Sequence, residues 1–131
     1  MINFKQYNEL LNERSFDKSC SDVCKDFINF CKTKLDISDD INVVFTSKDD
    51  AEMTTGSYDP NTGQIKILTK DRALVDVLRS VAHELVHMHQ DINGMLIATS
   101  GETGSPHENQ ANSLAGVLMR LYTKDNREQV Y

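Results

Sequence analysis

Between Asp71 and Asn93 the chain carries a helix-length stretch so apolar that it must lie at the centre of whatever fold forms. Leu74, Val77, Leu78, Val81, Leu85 and Met88 recur at helical spacing along one stripe, and Val75, Ala82 and Val86 widen it. Thr69 or Asp71 can cap the start of this helix, and Gly94 is placed to end it. Against that background Asp76, Arg79, Ser80, His83, His87 and Gln90 trace a polar column. Polar side chains on a buried helix are costly without partners, so the column calls for a metal, water or a ligand.

Its middle reads His83-Glu84-Leu85-Val86-His87, an H-E-x-x-H pattern. Residues four apart stand one turn above each other, so both imidazoles can reach one metal ion. Glu84 lies about 100° round the helix from His83, beside the metal, where a general base for a metal-activated water would stand. A durable catalytic zinc site needs a third protein ligand. His89, Glu102, His107 and Glu108 are the candidates. His89 is turned about 200° from His87 and points away, and Glu102 sits in a glycine-rich stretch that would hold a ligand poorly. Glu108 is the better choice because it opens the last helix behind Pro106, with His107 as the fallback. Asn112, one turn on, can accept the hydrogen bond from the outward ring nitrogen of His83 or His87 and so set its tautomer.

The remaining segments read as scaffold for an α+β domain covering 1–131, with about four helices on a small mixed or antiparallel three-stranded sheet. N-terminal helices are expected within 1–36. The first is a short one over 3–13 (Phe4, Tyr7, Leu10, Leu11). The second is capped by Ser19 or Ser21 and carries Val23, Cys24, Phe27, Ile28, Cys31 and Leu35 on its inner face. The sheet is expected over 41–68: strands at Ile41–Thr46, Met53–Tyr58 and Gln64–Leu68, with a turn at Asp59–Gly63. The central helix spans 71–93. A loop of roughly a dozen residues from Met95 to Pro106 is long enough to suggest a functional role. The third-ligand helix follows over 107–123, and the polar tail from Lys124 to Tyr131 is expected to fray. Gln64–Leu68 is expected at a sheet edge, where an extended peptide could add as a strand.

Composition narrows the function classes. A net charge of −6 with scattered basic residues argues against a nucleic-acid groove or an anionic membrane as partner. No apolar run approaches the ~20 residues of a membrane span, and Met1–Gln6 do not read as a signal peptide. Cys20, Cys24 and Cys31 are an odd number on one helical face, best read as small buried thiols in a reducing compartment. A cytoplasmic location is therefore expected.

The motif His83-Glu84-Leu85-Val86-His87, followed by Glu108-x-x-Ala111-Asn112-x-x-Ala115 and Leu118-Met119, resembles the core of the ImmA/IrrE-like metallopeptidases. It is similar, more loosely, to small phage-encoded H-E-x-x-H proteins. The resemblance covers about residues 64–120; Arg120 stands where that family commonly has proline. It implies a minimal zincin fold of the gluzincin type, with His83, His87 and Glu108 as Zn²⁺ ligands and Glu84 as base. The implied activity is hydrolysis of a protein or peptide substrate. Tyr58, His89, His107 and Tyr122 are alternatives for stabilising the oxyanion. Two rival expectations are a non-catalytic binding protein stapled by zinc and a metal-free helical adaptor.

Overall fold

The structure is a computed structural model that describes residues 13–48, 55–95 and 105–131. Its first helix begins on an aspartate instead of a serine: the Asp17 carboxylate accepts the Ser19 N–H at 2.8 Å and starts a 3-10 turn, Lys18–Cys20. That turn runs directly into α1, Ser21–Lys34, which buries Val23, Cys24, Phe27 and Cys31. The expected helix over 3–13 falls almost wholly outside the described residues. Among those described there are three α-helices rather than about four, with a three-stranded mixed sheet, so the α+β class stands.

The sheet comprises β1 (Asn42–Thr46), β2 (Gly56–Tyr58) and β3 (Gln64–Leu68) in the order β1-β3-β2. β1 runs parallel to β3, from Asn42 opposite Gln64 to Thr46 opposite Leu68, and β2 is antiparallel to it. The expected edge position of Gln64–Leu68 is therefore wrong: β3 is the central strand. β1 and β2 take its two edges, while Ile65 and Ile67, both fully buried, set only which face meets the core. The hairpin from β2 closes through Gly63, whose φ of 73° suits glycine, with its N–H donating to Asp59 O at 2.7 Å. The edges are β1 and β2; residues 53 and 54 of the second expected strand lie outside the described set.

The central helix, α2, spans Leu74–Ile92. It starts later than expected because Asp71 takes a left-handed conformation (φ 56°), and neither Thr69 nor Asp71 caps it. Arg72 ties the strand end to the helix start instead. Its guanidinium donates to Leu68 O (2.7 Å), Asp76 O (2.9 Å) and Ser80 Oγ (2.7 Å). Gly94, at φ 68°, ends the helix where the sequence placed its terminator.

The last helix, α3, spans Pro106–Val130 and so overruns the expected 107–123. Its tail is held rather than frayed. Val130 is fully buried, Arg14 donates to Gln129 O at 2.8 Å, and the chain bends at Asn126 (φ −132°) to bring these residues in. Polar composition concealed one apolar anchor near the end of the tail.

α2 is the hub: it packs on α1, α3, β2 and β3. Tyr122 of α3 sits edge-on to Phe27 and Phe30, with centroids 5.0 and 5.3 Å away, and its hydroxyl donates to Asp26. All three cysteines are free and buried, and burial pushes the Cys24 thiol up to about 11, so they act as packing groups. Among the described residues no helix is long and apolar enough to cross a membrane.

Candidate metal centre

α2 presents His83 and His87 one turn apart, and α3 begins opposite them. The start of α3 is fixed by its cap: Ser105 Oγ accepts the Glu108 N–H at 3.0 Å, and Pro106 occupies the first turn. This aims the Glu108 carboxylate at the two imidazoles. His83 Nε2 lies 2.9 Å from Glu108 Oε1, His87 Nε2 lies 3.0 Å from Glu108 Oε2, and the two Nε2 atoms are 3.2 Å apart. The group is close enough to hold a metal ion, with one ligand atom from each residue lying within 4.8 Å of the others. Ligand bonds of ~2.0–2.1 Å in a tetrahedron place neighbouring donors roughly 3.3 Å apart, close to the spacing found.

The hydrogen bonds behind the ligands decide what these atoms carry. Gln90 is fully buried, and its Nε2 donates to His107 O (3.0 Å) and to Gln110 Oε1 (2.8 Å). A backbone carbonyl can only accept, which fixes the amide orientation. Gln90 Oε1, 2.9 Å from His87 Nδ1, must then accept, so His87 carries its proton on Nδ1. In the neutral ring the His87 Nε2 lone pair then faces a carboxylate oxygen and a second imidazole nitrogen. Acceptors converging in this way are reconciled by a metal cation or by a shared proton, and an N,N,O donor set suits zinc.

Asn112 has a side-chain hydrogen bond to His83, one of the two partners foreseen for it. The partner of His87 is Gln90, a residue noted in the polar column but given no role there. The signal was present in its spacing, three residues after His87 on the same face. Burial holds the His83 imidazole below its ordinary range, against the opposing pull of Glu108.

Glu84 is buried beside this group, at 7% exposure, and burial pushes its carboxyl up to about 7. β2 passes close above it because residue 56 is glycine. A Cβ there would meet Ile67 Cδ1 at 3.0 Å, the Lys66 carbonyl oxygen at 3.2 Å and Glu84 Cγ at 3.4 Å. Gly56→Val is expected to destabilise the protein by about 2 kcal/mol, as overpacking typically does, and to displace Glu84. Denaturant unfolding checks the first effect. An unchanged midpoint would show that β2 can retreat freely.

The other residues singled out from sequence separate clearly. His107 does not join the metal-competent group; its carbonyl serves Gln90 instead. His89 points away, with Nδ1 3.3 Å from the Asn93 amide. Tyr122 is roughly 21 Å along the helix from Glu108 at ~1.5 Å per residue, and its hydroxyl is held by Asp26. Tyr58 donates to Asp91 at 2.6 Å, one turn beyond His87. It is the oxyanion candidate whose partner lies on the metal-facing side of α2. Glu102 lies outside the described residues.

No family model, curated protein or solved structure matches this chain.

Proposed function

We propose that this protein is a zinc-dependent peptidase in which His83, His87 and Glu108 hold the metal and Glu84 is the general base. The observation that carries the reading is the convergence of two imidazole Nε2 atoms and a carboxylate, with a second, buried carboxylate one position along the same helix. A purely structural site has no need of that second carboxylate. The H-E-x-x-H pattern and the downstream Glu108–Asn112 spacing, which resemble ImmA/IrrE-like metallopeptidases, support the same assignment.

Zinc in such a site supplies Lewis acidity, polarising a substrate carbonyl and acidifying water towards a pKa of ~7. Glu84 takes the proton of the attacking water and returns it to the leaving amine. Its burial keeps bulk water from competing for that proton. Substrate is a peptide segment lying along β2, whose side away from β3 pairs with no strand among the described residues. This moves the strand-addition surface from Gln64–Leu68 to the edge nearest Glu84. We place the protein in the cytoplasm, acting on protein or peptide rather than on nucleic acid or membrane.

The alternative is a binding protein in which zinc only staples α2 to α3, and it is favoured by the ligands coming from those two helices alone. Metal-replete protein, its zinc content measured, is incubated with an unfolded mixed protein substrate. Cleavage that stops on chelation and returns with zinc is expected. Stoichiometric zinc with no cleavage across varied substrates would overturn the peptidase reading and leave the staple.

A further inference from the structure

We infer that Gln90 is a positioning residue that assembles the metal site, setting the tautomer of one ligand and the placement of another through a single buried amide. The inference rests on the reading of His83, His87 and Glu108 as metal ligands. Every polar atom of the Gln90 side chain is engaged: Oε1 with His87 Nδ1 at 2.9 Å, and Nε2 with His107 O at 3.0 Å and Gln110 Oε1 at 2.8 Å. The first contact turns the His87 Nε2 lone pair inward. The other two grip the first turn of α3 on either side of Glu108. Its backbone acts too, since Gln90 O accepts the Met95 N–H at 2.8 Å beyond the end of α2.

The geometry is specific to glutamine. A carboxylate at this position could accept from His87 but would face the His107 carbonyl with no hydrogen to give. An apolar side chain would do neither, and would leave a buried ring N–H and a carbonyl without partners. Asparagine is one methylene short of spanning the two helices. Because the same amide bonds both helices, the site is built only when α2 and α3 are correctly docked.

The test uses the full chain and reads metal affinity and tautomer. In metal-free wild type, nitrogen NMR of His87 is expected to show the proton on Nδ1. Zinc affinity, measured by competition with a chromophoric chelator, is expected to fall about 10- to 100-fold in Gln90→Leu, the usual effect of losing such a partner. Gln90→Glu is expected to keep the Nδ1–H tautomer yet still lose zinc affinity, because the grip on α3 is gone. Gln110→Ala removes one of the two bonds to α3 and spares those to His87 and His107, so it is expected to lower affinity by less than Gln90→Leu does. Apo folding of each variant is followed by circular dichroism. A residue that merely fills space would lower the melting temperature while leaving tautomer and zinc affinity alone, and that result overturns the inference. If Gln90→Leu does not fold, Gln90→Glu and the wild-type tautomer decide, and a neutral ring with its proton on Nε2 instead of Nδ1 overturns it. Wild type that binds no zinc would instead sink the metal reading itself. Normal zinc binding in both Gln90 variants would sink only the role of Gln90.

Discussion

Glu84→Gln is expected to keep its zinc and lose peptide hydrolysis by about 100- to 10,000-fold, the range for removal of a general base. The amide has the shape of the carboxylate and fits the same buried position between α2 and β2, where Gly56 leaves just enough room. It cannot take a proton from water, so the loss falls on kcat rather than on substrate binding. The ligands are untouched: His83, His87 and Glu108 keep the partners that orient them. Zinc content and chelator-competition affinity should therefore match wild type within a few-fold. Equal hydrolysis by wild type and Glu84→Gln would assign the cleavage to something other than this site. Loss of zinc together with activity would mean that Glu84 is part of the metal's support and not a base.

The helix that carries His83 and His87 was legible in the sequence because periodicity and chemistry agreed there: an apolar stripe demanded burial, and the polar column within it demanded partners. Glu108 was legible for a local reason, the proline that fixes the entry into α3, while the Ser105 cap that aims it was not read. The sheet was half legible. β1 and β3 could be found from their β-branched residues, but β2 (Gly56-Ser57-Tyr58) has none, and strand order is set by the crossover from β1 to β3. The alternate isoleucines of β3 mark the face that meets the core but say nothing of which strands flank it. Gln90 was seen and not understood. Its meaning depends on the His107 carbonyl, a backbone atom brought near by helix docking, and no side-chain pattern encodes that contact. The docked tail was hidden in a similar way, since a single buried Val130 does not make a periodic stripe.

Zinc is expected to raise the melting temperature of metal-free wild type by about 10 °C at a free concentration near 100 times its Kd. Ligand linkage at that concentration gives about 2.7 kcal/mol, and a domain of this size shifts by roughly 3–5 °C per kcal/mol. Glu108→Gln is expected to lose most of that increment. The sign of its effect without metal is the sharper test. At about pH 8.5, well above the ordinary imidazole range, the wild-type Glu108 carboxylate faces the His87 Nε2 lone pair at 3.0 Å, an acceptor against an acceptor, because Gln90 keeps the proton of the neutral ring on the other nitrogen. Glutamine can turn its amide N–H towards that lone pair and convert the repulsion into a hydrogen bond. Metal-free Glu108→Gln should therefore melt at or above metal-free wild type, while with zinc the order reverses. That crossing separates a group arranged for a cation from an ordinary ion pair between helices, which would weaken on the same substitution whether or not zinc is present. Scanning calorimetry of both proteins at about pH 8.5, with chelator and with zinc, reads it directly. Equal zinc increments in the two proteins would remove Glu108 from the ligand set.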